Sequence, residues 1–193
     1  MKMKSCIPFG ALLVAGSLFG GPITYNVVMS GAFESPPTGS PGTGSALIII
    51  DSTANTLNIV SDTFSGLVGN TTASHIHCCT PPGGNAGVAT QTPSFSGFPL
   101  GVTSGSYSMI FDMTQASTWN PAFITANGGT PAGAEAALVA GAALGNAYLN
   151  IHSNVNPGGE IRGFLVATPE PGTMALTIAA LAGIFLVSRV RSV

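Results

Sequence analysis

Between residues 23 and 166 the chain breaks into short runs in which apolar and polar residues alternate, each closed within a few positions by glycine, proline, asparagine or serine. This pattern constrains the fold more than any other feature. Alternation at period two loads one face of a strand with apolar groups, and it cannot build the single apolar stripe of a helix. The runs fall at 23–29, 45–51, 56–64, 73–78, 107–113, 147–152 and 160–166. The proline- and glycine-rich stretches at 35–42 and 80–85 read as loops, because these residues fix turn geometry or cannot join a ladder. A long connection over 87–106 is expected to wind over the surface. Two segments break the strand pattern. Thr130-Pro131 supplies a capping hydroxyl and a first-turn proline ahead of an Ala- and Leu-rich stretch at 132–144, and Asn120-Pro121 starts a shorter helix through Ala126 by the same logic. About seven strands with one or two short helices in a crossover predict an all-β fold, an immunoglobulin-like Greek-key β-sandwich.

The ends are built differently. Lys2 and Lys4 precede an apolar stretch too short for a permanent span, the layout of a secretory signal peptide, so residues 1–21 are read as a targeting segment and 22–168 as the folded domain. Residues 172–188 carry no charge and reach the lower limit for crossing a bilayer, and Arg189 and Arg191 close the run. By the positive-inside tendency those arginines hold the last residues in the cytoplasm and everything before Pro169 outside it. Charged residues make up only 6% of the chain, against about 25% in an average soluble domain. Four of the five bases lie in the end segments, so Arg162 faces Glu34, Asp51, Asp62, Asp112, Glu135 and Glu160 in the body. This balance excludes a basic nucleic-acid surface.

Pro169-Glu170-Pro171, the apolar run and the terminal arginines, in that order, resemble the PEP-CTERM sorting signal of Gram-negative bacteria. The resemblance implies that residues 169–193 are recognised by a membrane transpeptidase of the exosortase type. It also implies a precursor anchored in the inner membrane by 172–188, cleavage near the triplet, and delivery to the cell surface or extracellular matrix.

All three histidines lie in the body. His75 and His77 project from one face if 73–78 is a strand, and His152 ends a second strand on the face of Tyr148 and Asn150, away from Leu149 and Ile151. Three imidazoles with Glu160 would make a ligand set for zinc or copper, with Cys78 and Cys79 adjacent as soft ligands. Once the signal peptide has gone, these two cysteines are the only ones left in an oxidising compartment. A vicinal disulfide is ranked ahead of metal thiolates, a bridge to another chain, or buried reduced thiols. Alternation also places Glu160 and Arg162 on one face with Phe164, so the sole body cation is expected to pair with Glu160 or with an acid from another strand, as a structural ion pair.

His75-Ile76-His77, then Gly145-Asn146-Ala147-Tyr148-Leu149-Asn150-Ile151-His152, then Asn156-Pro157-Gly158-Gly159-Glu160-Ile161-Arg162-Gly163-Phe164-Leu165 are similar to the CHRD domain, named from chordin. The resemblance covers residues 23–167 and implies an extracellular β-sandwich module. Cys78-Cys79 departs from it, since the family often continues there with glycine and proline. The expected function is a surface or matrix module that binds a metal, an extracellular polymer or a protein without turnover, with no catalytic residues. The alternative is a single-metal redox enzyme distantly like copper-zinc superoxide dismutase, although three histidines are too few for a bimetallic site. No Gly-x-Ser-x-Gly elbow, phosphate loop or carboxylate pair is present.

Overall fold

The computed structural model of the chain describes residues 21–168. Residues 1–20 of the expected signal peptide, the Pro169-Glu170-Pro171 triplet, the apolar run 172–188 and Arg189 and Arg191 therefore fall outside the described residues. Among those described, no helix is long and apolar enough to cross a membrane.

The body is an all-β sandwich made from one antiparallel sheet that curls over a common core. Its strands are β1 (Pro22–Ser30), β2 (Thr43–Asp51), β3 (Thr56–Ser65), β4 (Thr71–Cys78), β5 (Gly105–Asp112), β6 (Ala147–Ser153), β7 (Ile161–Phe164) and β8 (Val166–Ala167). Their order is β4-β6-β7-β1-β2-β3-β5, with β8 paired to β1. Eight strands replace seven because the last run divides at Leu165. That residue is buried, and its N–H donates to the carbonyl of Ala147, the next position in the register of β6 and β7. Two helices, α1 (Pro121–Ala126) and α2 (Pro131–Ala143), carry the chain from β5 across to β6. Both begin as the caps predict: Asn120 accepts from the Ala122 N–H and Thr130 from the Gly133 N–H, each followed by proline in the first turn.

The core runs from Tyr25, Val27 and Met29 of β1 through Ile48 and Ile59 of the neighbouring strands to Ile76, Leu149 and Ile151 of β4 and β6. The connection over 87–106 does not merely wind over the surface. It follows the free edge of β4, where Ala89 and Phe95 donate to the carbonyls of Ile76 and Ser74 and the Thr90 hydroxyl accepts from the Ile76 N–H. Phe95 then packs 5.2 Å from Phe111, and Phe98 5.5 Å from Phe64. An uncovered edge would present unpaired backbone groups to other chains, and the loop's own aromatics supply the burial that keeps it in place.

Candidate functional site: a buried three-histidine cluster

The antiparallel register of β4 and β6 sets His77 opposite Tyr148, His75 opposite Asn150 and the small Ala73 opposite His152. Side chains of one face therefore converge from two strands. The ligand-capable nitrogens of His75, His77 and His152 all lie within 4.8 Å of one another. Ring centroids of His75 stand 4.8 Å from His77 and 4.7 Å from His152. Alternation along β6 leaves Leu149 and Ile151 in the core, but the opposite face is covered as well: Tyr148, Asn150 and His152 are all buried. Carbonyls from the 80s and 150s loops lie over it.

Those loops also orient the rings. His77 Nδ1 donates to the carbonyl of Ala86 at 2.8 Å, and His152 Nδ1 donates to the carbonyl of Pro157 at 3.0 Å. A carbonyl accepts only, so both rings carry their proton on Nδ1 and turn Nε2 inward. The two Nε2 atoms stand 3.4 Å apart. Neither nitrogen of His75 has a hydrogen-bond partner among the described residues. The Pro93 carbonyl lies close enough to favour its charged form slightly, but outside bonding geometry. Burial, reinforced by His152 and His77 alongside, holds His75 down at about 3. Burial likewise lowers His77 to about 4 against the pull of the Ala86 carbonyl, and it lowers His152. All three are neutral imidazoles at physiological pH, the form that ligates a metal.

Tyr148 links this cluster to the sole cation of the body. Its ring stacks on His77 at 4.8 Å and lies 4.7 Å from the guanidinium carbon of Arg162. Arg162 is 1% exposed. It donates to the carbonyls of Phe33 and Gly84 and to Oδ1 of Asn85, and so ties two loops to β7. Its carboxylate is Glu34 at 3.8 Å, not Glu160. Burial lifts Glu34 to about 7 despite the opposing effect of Arg162.

Glu160 does not join the histidines or Arg162. It accepts from the Ser40 hydroxyl and from the N–H groups of Val68 and Gly69, and these bonds, with one from Ser153, outweigh burial and lower its acid group. The reason is local. Gly159 is in a positive-φ conformation and β7 begins only at Ile161, so Glu160 belongs to the turn and the period of two does not reach it. Cys78 and Cys79 lie outside the cluster also. They are joined to each other as a disulfide, which packs against α2 where Gly141 offers no side chain. Glu34 was absent from the sequence expectation because it lies in a loop, where no periodicity assigns it a face; only the need of a buried arginine for an acid pointed toward such a partner.

A family model described as the CHRD domain matches residues 25–165. No curated protein and no solved structure matches the chain.

Proposed function

This chain belongs to the CHRD domain family, and on that premise we propose that residues 22–168 form an exported, non-catalytic module holding one metal ion on His75, His77 and His152. The observation that carries the metal is the approach of His77 to His152. With both Nδ1 protons committed to carbonyls, two Nε2 lone pairs face each other across 3.4 Å. Such an arrangement is repulsive unless a cation lies between them. Nitrogens bound about 2.0–2.1 Å from one ion, at tetrahedral or trigonal angles, lie roughly 3.3–3.6 Å apart. His75, buried with both nitrogens unpartnered among the described residues, supplies the third donor. The carbonyls of Ala86 and Pro157 are the outer partners that a metal-binding imidazole ordinarily has.

Membership of the family supports an extracellular site of action, and Lys2, Lys4 and the apolar stretch after them support export through a signal peptide over 1–21. Pro169, Glu170 and Pro171, followed by the uncharged run and by Arg189 and Arg191, support handling as a PEP-CTERM substrate. On this reading an exosortase-type transpeptidase in the inner membrane of a Gram-negative bacterium removes the tail. The mature module then acts at the cell surface or in the matrix, alone or with an extracellular polymer or protein.

Native mass spectrometry of the chain recovered from envelope and medium tests both halves. The expected species lacks both end segments and carries one zinc or copper. A mass that stays metal-free after either ion is added removes the metal centre, and a mature species that keeps Arg189 and Arg191 removes the sorting step.

A further inference from the structure

We infer that the ion this site selects is monovalent copper, Cu(I), a claim that rests on the metal reading above and goes beyond it in naming the ion's charge. The donor set is the first reason. Among the described residues, the only cluster of three or more ligand-capable side chains is His75, His77 and His152, and it contains no carboxylate and no thiolate. The acids nearby are engaged elsewhere: Glu34 by Arg162, and Glu160 by Ser40 and the N–H groups of Val68 and Gly69. Cys78 and Cys79 are bonded to each other. An ion held here therefore keeps its whole formal charge.

Burial makes that charge expensive. His75, His77 and His152 are 6%, 8% and 8% exposed. The cost of taking an ion out of water grows with the square of its charge, so a dication costs about four times as much as a monocation of similar size. Arg162 adds to the difference. Its guanidinium lies 4.7 Å from the Tyr148 ring that stacks on His77, and it repels a dication twice as strongly as a monocation.

Coordination number is the second reason. Zinc in proteins takes four ligands, the fourth being a further side chain or an open-position water. The histidine, cysteine and carboxylate side chains described supply three, and their rings are nearly covered. Cu(I) has a filled d shell, no demand for an anionic ligand, and a stable trigonal geometry with three neutral nitrogens. Softness usually selects Cu(I) through sulfur. Here charge and ligand count select it through imidazole.

The test is a pair of anaerobic competition titrations on the purified full chain, one against a chromogenic cuprous chelator and one against a zinc indicator, with X-ray absorption on the copper-loaded protein. The expected result is one Cu(I) per chain, bound about 100-fold or more tighter than zinc, with a cuprous edge and nitrogen scatterers only. His152→Ala should lose most of that affinity. The absorption spectrum of the unmutated chain keeps the claim open to refutation if the variant misfolds. Zinc bound as tightly as Cu(I), or tighter, overturns the cuprous assignment and leaves the metal centre standing. Sulfur in the copper shell overturns the three-nitrogen site for copper. Binding of neither ion to folded chain removes the cuprous claim and the metal reading together.

Discussion

Asp62 is fully buried on β3, and neither of its carboxylate oxygens has a partner among the described residues. A bulge explains how it got there. Leu57 and Ile59 face the core at odd positions, the pairing with β5 slips between Ile59 and Asp62, and after the slip the even positions Asp62 and Phe64 face inward. Phe64 gains a place against Phe98, and Asp62 is drawn in with it. Burial raises its acid group to about 7. Between the ordinary carboxyl range and that value the native state keeps a proton that the unfolded chain releases, so stability falls as pH rises, by about 1.4 kcal/mol for each pH unit across the window. Asp62→Asn should keep the shape and remove that dependence. The urea midpoint at pH 8 minus that at pH 5 should therefore be more positive in the variant than in the parent chain. Both chains share a slope of the same sign from buried Glu34 and one of opposite sign from His75, His77 and His152, which burial keeps neutral below the ordinary histidine range. An unchanged gap between the two midpoints would clear Asp62 of the effect. Residues inside regular strands were legible beforehand: His75 and His77 share a face by period alone. Asp62 and Glu160 were not, because a bulge and a turn shift the phase without leaving a mark in the apolar pattern.

Elements were easier to read than residues. Proline and an oxygen-bearing cap announced both helices, and the strand runs correspond closely to the ladders, since alternation and turn residues are local signals. Placement of one element on another was less legible. Nothing in the Ala-rich sequence of α2 shows that it lies against the Cys78–Cys79 disulfide, yet a Cβ at Gly141 would collide with both sulfurs. Two effects oppose each other there. Alanine in a helix interior gains about 1 kcal/mol over glycine, whereas forcing a methyl group into a filled contact costs about 1–3 kcal/mol. Because Gly141 is buried and the collision involves both sulfur atoms, the second effect should win. Gly141→Ala should therefore lower the thermal midpoint, and reducing the disulfide should shrink the loss by freeing the sulfurs to turn aside. A rise in midpoint would mean that α2 stands further from β4 than the structure has it. The apolar residues of the 87–106 connection, Phe95 and Phe98 above all, were the available hint that this loop belongs to the core.

At the scale of the whole molecule, the sandwich has one face that is closed twice. β4 and β6 bury Ile76, Leu149 and Ile151 against the core and the histidines beneath loops, so the cluster is as enclosed as the core without being apolar. The 80s loop is fastened to the 30s loop: the Ser35 hydroxyl donates to the Gly83 carbonyl, the Asn85 amide to the Ser35 carbonyl, and Arg162 reaches the backbone of both. Unfolding separates β4 from β6 and scatters the three imidazoles, so an ion they hold binds the native chain alone. Its binding energy then becomes folding energy. At a free concentration 100 times the dissociation constant this adds about 2.7 kcal/mol, which for a domain of this size raises the melting temperature by roughly 5–10 °C. Chelator treatment of loaded chain should lower the midpoint by that amount and renewed ion should restore it, as followed by calorimetry. His75→Ala should start from a midpoint of its own and respond to neither step. An equal response from that variant would mean that the ion binds outside the β4–β6 face.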